Sequence, residues 1–197
     1  MDYTKQLIRE SFNKYNMSYD QHSSVQIKAA EYLAHILKGG SSTLLLDLGC
    51  GNGSSASVML KNYIYDHCIS LDIADKSLEN VSRRFMPVCA DIDNLPISAY
   101  VVDLIVSNMS FQWLQDLEQS FDEIYRVLRP GGKIAFSIPI KGSFEAIKRF
   151  CPTSFNELYA TSDITKILSK YKLDIVKQNT EDYSVKFLDL RTALKSI

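Results

Sequence analysis

The ten residues Leu44-Leu45-Leu46-Asp47-Leu48-Gly49-Cys50-Gly51-Asn52-Gly53 constrain this chain more than any others. A short apolar run bounded by a turn signal reads as a strand buried on both faces, as in a parallel sheet. It breaks into alternating glycines, and Ser54, Ser55 and Ser57 open a segment of helical spacing. A strand that turns on glycine into a helix presents free backbone N–H groups to a ligand. Glycine is needed where a Cβ would block a ligand's approach to the backbone. The dinucleotide fingerprint G-x-G-x-x-G has its third glycine one place later than Gly53, and no Gly-Lys-Ser/Thr follows as in a P-loop. An ordinary glycine-rich turn is the plainer reading.

A second acid argues against that plainer reading. Cys68-Ile69-Ser70-Leu71-Asp72-Ile73 reads as the next strand, ending in Asp72, 21 residues after Gly51. In nucleotide-binding β-α-β units an acid about 20 residues on binds ribose hydroxyls. Alone, Asp72 would be a turn residue or a cap. Cys89-Ala90-Asp91-Ile92-Asp93 supplies a third acid, expected to end the third strand, although Asp91 could be a loop carboxylate and Asp93 could compete with it. Val102 through Asn108 is a fourth apolar strand, ending in Ser107 and Asn108. Ligands in open α/β sheets bind at the carboxyl ends of strands, so these pieces converge on one crevice.

The rest of the chain fits a doubly wound sheet. Residues 3–14 and a stretch from Ser23 or Ser24 to Leu37 have helical spacing, the latter ended by Gly39 and Gly40. A helix over Leu117–Leu128 is expected to stop at Arg129-Pro130-Gly131-Gly132, with Lys133–Ile138 as a fifth strand. Helices are expected near 143–150, 162–170 and 189–196, and strands near 172–178 and 182–188. One domain over residues 1–197 is expected, with a helical lid over 1–40.

Composition excludes some partners. The formal net charge is −1, which argues against bulk nucleic-acid binding. No apolar run approaches a membrane span, and the N-terminus lacks a signal-peptide core. Cys50, Cys68, Cys89 and Cys151 form no C-x-x-C pair, which suggests reduced structural thiols and a cytoplasmic protein. No metal-ligand spacing stands out. Residues 41–140 lean acidic, whereas Lys141, Lys148, Arg149, Lys166, Lys170, Lys172 and Lys177 make the following stretch weakly basic. That region is either a solvated face or a patch for an acidic partner.

The Asp47-x-Gly49-x-Gly51-x-Gly53 pattern resembles the first motif of class I S-adenosylmethionine (SAM) methyltransferases. The resemblance implies a Rossmann-like three-layer α/β fold with a mainly parallel sheet. It implies SAM as cofactor and S-adenosylhomocysteine as product. Asp47, Gly49, Gly51, Gly53, Asp72, Ile73, Asp91, Ile92 and Asn108 would then be cofactor-binding. Asp91 would meet the adenine amino group, Ile92 would face the ring, and Asn108 would lie near the methionine moiety.

Further blocks resemble the malonyl-carrier-protein O-methyltransferases of biotin synthesis. These are Phe12-Asn13-Lys14, Tyr19-Asp20-Gln21-His22, Ser107-Asn108-Met109-Ser110-Phe111-Gln112-Trp113-Leu114, Tyr125 through Gly132, and Gly142-Ser143-Phe144. By this resemblance malonyl-loaded acyl carrier protein is the partner. Tyr19 and His22 would belong to a lid, and Gln112 and Trp113 would line the junction of cofactor and acceptor. Tyr19 could instead simply pack, His22 could cap the following helix, and Trp113 could be a core anchor. Members of that family continue past the position of Ile197, so the sheet is expected to lack its last strand. A malonyl carboxylate is ionised at neutral pH and needs no general base, which suits a sequence without an obvious catalytic dyad. Two alternatives are a methyltransferase for a free small molecule and a non-catalytic SAM-binding domain.

Overall fold

A computed structural model describes residues 3–15, 24–149 and 157–186 of the chain. Two compact units are present, Met1–Ile138 and Pro139–Ile197.

In the first unit, helices α1 (Tyr3–Tyr15) and α2 (Ser24–Leu37) precede strand β1 (Ser41–Leu48). There follow α3 (Ser54–Met59), β2 (Ile64–Asp72), α4 (Asp75–Leu78), β3 (Met86–Cys89), β4 (Val102–Asn108), α5 (Leu117–Val127) and β5 (Leu128–Ser137). The five strands run parallel in the order β3-β2-β1-β4-β5. The chain therefore winds outward from β1 to β3, then crosses back to place β4 on the other side of β1. Such a reversal of direction leaves a crevice at the carboxyl ends of β1 and β4.

Both faces of the sheet are covered. Leu45, Leu104 and Val106 share one buried cluster with Ala30 and Leu33 of α2 and with Ala56 and Met59 of α3. Alternate residues along a strand point to the opposite face. There Phe136 meets Phe111 at 5.3 Å and Phe121 of α5 at 6.3 Å between ring centroids. This is a three-layer α/β sandwich with a fully parallel sheet, as the strand pattern predicts. β4 is buried along its whole length because it is central and covered twice, which is why it reads as one apolar run.

Some element ends differ from the sequence expectation. α5 begins where Asp116 accepts the N–H groups of Glu118 and Gln119 at 2.9 and 3.1 Å, and it ends at Val127 rather than Leu128. β5 begins at once, pairing Leu128 with Val102, and then skips to Lys133 opposite Leu104. Arg129-Pro130-Gly131-Gly132 is thus bulged out inside β5 and is not a linker before it. β3 stops at Cys89, two residues short of Asp91. Asp91 turns the chain away from the ladder by accepting the Asp93 N–H at 3.1 Å, which starts a single 3₁₀ turn over Ile92–Asn94.

In the second unit, α6 (Glu145–Lys148) and α7 (Thr161–Lys170) form. Asp163 accepts the Ala160 N–H at 3.1 Å at the start of α7, and Ile164, Ile167 and Leu168 are its buried stripe. The strands expected near 172–178 and 182–188 are not formed in the described residues 172–186. Val176 is 95% exposed, and nothing there is paired as a ladder. Strand propensity reflects packing on a neighbour, and Ile175, Val176 and Val185 here are exposed. Residues 187–197, including the helix expected over 189–196, lie outside the described residues.

Candidate functional site

A pocket opens at the carboxyl ends of β1, β2 and β4. Its floor is the turn after β1, where Gly49, Cys50, Gly51 and Asn52 line it. The Gly49 and Cys50 N–H groups both donate to Leu71 O, at 2.8 and 3.1 Å, which folds the turn back onto β2. Two glycines in it serve different needs. A Cβ on Gly49 would sit 2.4 Å from Ser110 Cβ, so the turn can nest against the segment after β4 only without a side chain. Ser107 and Ser110 both donate to Leu48 O there, at 2.9 and 3.1 Å. A Cβ on Gly51, at φ +54°, would meet no protein atom within 4 Å. It would project into open space where the pocket lies, a cradle that a side chain would fill.

Asp72 holds this turn in place. Its Oδ2 accepts the Gly51 N–H at 2.8 Å and its Oδ1 accepts the Ala74 N–H at 2.8 Å. Burial pushes its carboxyl above the ordinary carboxylate range, while these N–H groups pull it back. A carboxylate has about four lone-pair sites, so Asp72 keeps acceptor capacity on the pocket side that it lines. Asp47 lies deeper. It is 1% exposed, its Oδ2 has no hydrogen-bond partner, and burial with the nearby Asp72 pushes its pKa up to about 8. Cys50 is buried, and burial raises its thiol far above the neutral range, so the thiolate nucleophile does not form.

Along one wall stand Ile73, Ala90, Asp91 and Ile92. Opposite are Asn108, Met109, Ser110, Trp113 and Leu114, and α1 adds Lys5, Ile8 and Phe12. Phe12 stands edge-on to Trp113, with ring centroids 5.4 Å apart.

The sequence-expected residues fall into three groups. Gly49, Gly51, Asp72, Ile73, Asp91, Ile92, Asn108 and Trp113 all line the pocket together. Asp47, Gly53 and Gln112 do not. Asp47 is buried behind the turn, Gly53 leads into α3 at φ +80°, and Gln112 is buried with its Nε2 donating to Met109 O at 2.8 Å. Tyr19 and His22 lie outside the described residues.

Asn108 lines the pocket, yet its side chain is engaged by the protein. Its Nδ2 donates to Gln26 O at 2.9 Å and Ser55 Oγ at 3.0 Å, and its Oδ1 accepts from Ser137 Oγ at 2.7 Å. Its amide ties α2, α3, β4 and β5 together at the pocket's edge. Of the α1 residues at the pocket, Phe12 falls in a block of the family resemblance, whereas nothing in the sequence singles out Lys5 and Ile8 as site residues. The one available signal was their period: Lys5, Arg9 and Asn13 recur every four residues, with Ile8 and Phe12 beside them.

The pocket suits SAM. It offers a glycine cradle for close backbone approach, the carboxylates of Asp72 and Asp91 for donor groups, and the apolar Ile73 and Ile92 for a ring face. Among the described residues, no group of His, Cys, Asp and Glu could hold a metal ion.

Comparison with known proteins agrees. Residues 46–136 match the family model of the methyltransferase domain. The chain is 27% identical to malonyl-[acyl-carrier protein] O-methyltransferase 2 of Coxiella burnetii, over 98% of this chain and 79% of that protein. It is 37% identical to the malonyl-[acyl-carrier protein] O-methyltransferase of a Methylovorus species, over 68% of this chain and 50% of that one. A solved SAM-dependent methyltransferase from Thermotoga maritima shares the fold, with a TM-score of 0.66 at 18% identity over 86% of this chain and 80% of that one. With a parallel sheet wound 3-2-1-4-5, a glycine cradle at its switch point and a domain model matching residues 46–136, the chain carries a methyltransferase domain in a class I, Rossmann-like fold.

Proposed function

We propose that this methyltransferase esterifies the free carboxylate of malonyl-loaded acyl carrier protein, as a step toward the pimeloyl precursor of biotin. The relatives that span nearly the whole chain carry that activity in their names. The observation that most supports the reading is the Phe12–Trp113 wall of the pocket. Phe12, Met109, Ser110, Trp113 and Leu114 carry no ionisable side chain. An alcohol or amine acceptor would profit from a base there, whereas a carboxylate is already ionised at pH 7.

Bound SAM supplies an electrophilic methyl on a positively charged sulfur. The chain's own residues supply position and exclusion of water. The glycine turn, fixed by Asp72, sets the floor. Asp91 and Ile92 receive the adenine. Trp113 and Phe12 form an apolar wall at which a carboxylate loses its water, which raises its reactivity. On this reading Gln112 braces the loop that carries Trp113. The exposed Lys141, Arg149, Lys166 and Lys172 of the second unit give an acidic carrier protein a docking charge.

Intact mass of malonyl-loaded carrier protein after incubation with the chain and SAM tests this. A one-methyl gain on malonyl carrier, absent on acetyl carrier and weak on a free malonyl thioester, is expected. Equal turnover of the free thioester would move the assignment to a small-molecule acceptor. SAM binding without any gain would leave a binding domain.

A further inference from the structure

Asp91 and Ile92 line the pocket from beyond the end of the sheet. β3 stops at Cys89, and the last backbone bond to β2 before this wall runs from the Ala90 N–H to Asp72 O at 3.0 Å. From Asp93 to Ile97 the chain is held by side chains of α5. Ser120, Glu123 and Arg126 recur every three residues on one side of that helix. The Ser120 hydroxyl donates to Asp93. Glu123 Oε2 accepts the Leu95 N–H at 2.8 Å. Arg126 Nη2 donates to Leu95 O at 3.0 Å, and its Nη1 donates to Ile97 O at 2.8 Å. The same arginine grips Glu123, with Nε on Oε1 at 2.6 Å and Nη2 on Oε2 at 2.7 Å.

This pair does for the segment what a neighbouring strand does for an edge. A ladder takes the N–H and C=O of one residue and passes over the next. Here both backbone groups of Leu95 are taken, Pro96 has no N–H to offer, and Ile97 O is taken. Leu95 is 4% exposed, so little water reaches its backbone to replace these bonds. Helix α5 has an anchor of its own, since Leu117, Phe121, Ile124 and Val127 are its buried stripe. Ser120, Glu123 and Arg126 are not among the described lining residues of the pocket, so they bear on it only through the segment they hold.

We infer that Glu123 and Arg126 are positioning residues for the cofactor: from behind the wall they fix where Asp91 and Ile92 stand, and through them the selectivity for an adenine base. This rests on the reading of Asp91 as the residue that meets the adenine amine. The pair is partly exposed, so its worth lies in the placement of the segment more than in its own attraction.

The test is calorimetric titration of the full chain with S-adenosylhomocysteine and with its deaminated hypoxanthine counterpart, which lacks the purine amine. The parent should prefer the adenine ligand by about tenfold, the scale of one hydrogen bond to a charged group. Arg126→Ala and Glu123→Ala should each cut that preference to about threefold or less, because a displaced wall no longer meets the base squarely. Glu123→Gln keeps an oxygen for the Leu95 N–H and should retain most of it. Arg126→Lys keeps the charge without the fork that spans two carbonyls, so its preference should fall as well. Arg129→Ala breaks the ion pair with Asp103 near the opposite end of β4 and should leave the preference at the parental value. A role in stability alone would shift urea midpoints and leave this ratio untouched. A parent with no preference would overturn the adenine reading of Asp91 and the positioning role with it. A clear parental preference that the Arg126 variants and Glu123→Ala all leave unchanged would overturn the positioning role alone.

Discussion

Replacing Asp47 by asparagine should flatten the pH dependence of folding stability. Asp47 is 1% exposed, and its pKa of about 8 stands above an ordinary value of 3.8. The cause is burial first and the neighbouring Asp72 second. Between pH 4 and pH 8 the folded chain holds a proton on Asp47 that the unfolded chain has released. Stability is then full below about pH 4 and declines as pH rises, until the folded group ionises near pH 8. Each unit is worth about 1.4 kcal/mol, so the decline from pH 5 to pH 8 is about 4 kcal/mol for this group. The replacing amide has nothing to ionise. Urea unfolding of parent and Asp47→Asn at pH 5, 6, 7 and 8 checks this, read as the difference between the two curves. The gap should move in favour of the variant by a few kcal/mol as pH rises. Parallel curves would refute the buried, unpartnered carboxyl as a source of pH-dependent instability.

Three further outcomes are expected. The two turn glycines should respond differently: Gly49→Ala should lower stability by about 2–5 kcal/mol through left-handed backbone strain together with overpacking against Ser110, whereas Gly51→Ala should lose only the about 1–2 kcal/mol of left-handed strain, yet bind SAM at least tenfold more weakly by titration calorimetry, because its Cβ meets the pocket and not the protein. Asp72→Ala should weaken SAM by about 1–3 kcal/mol, the scale of a lost charge-assisted hydrogen bond, and should also loosen the turn through loss of the Gly51 N–H bond; unchanged affinity would remove Asp72 from the site. Reversing the charge of Lys148 and Arg149 should slow methylation of malonyl carrier protein more than of a free malonyl thioester; equal slowing of both would end the docking proposal.

The sheet and the pocket floor were legible because burial writes itself into sequence. Leu44–Leu48 and Val102–Val106 lie inside two covering layers, so their apolar runs admit little but a central parallel strand. The glycine turn was legible because Gly49 and Gly51 answer steric demands that other residues meet poorly. Partners chosen by tertiary contact were not legible. Lys5 meets carboxylates 86 and 88 residues away, and nothing local in α1 names them. Asn108 is expected near the methionine moiety and does line the pocket, but the partners of its side chain on α2, α3 and β5 are not written in the local sequence. Arg129–Gly132 has the composition of a linker and is instead a bulge, because pairing of Leu128 with Val102 resumes before the glycines. Residues 172–186 have strand-like spacing without a ladder to join.

The carboxylates gathered at one end of the sheet connect stability to function. Asp47, Asp72, Asp91 and Asp93 come from three separate strand ends or their following turns, with Asp47 buried and Asp72 half-buried. Packing alone would not gather them, since each raises the electrostatic cost of the next. In the described structure that cost is met piecemeal. Asp72 is met by two backbone N–H groups, Asp91 and Asp93 by Lys5, and Asp47 by retention of a proton. A ligand with an amine, ribose hydroxyls and a positively charged sulfur supplies the missing donors and positive charge at once. SAM should therefore stabilise the chain more at pH 8, where Asp47 is losing its proton, than at pH 6. Thermal unfolding at fixed saturating SAM checks this against Asp47→Asn, in which the two shifts should be equal. An equal pair of shifts in the parent would separate the buried acid from cofactor binding altogether.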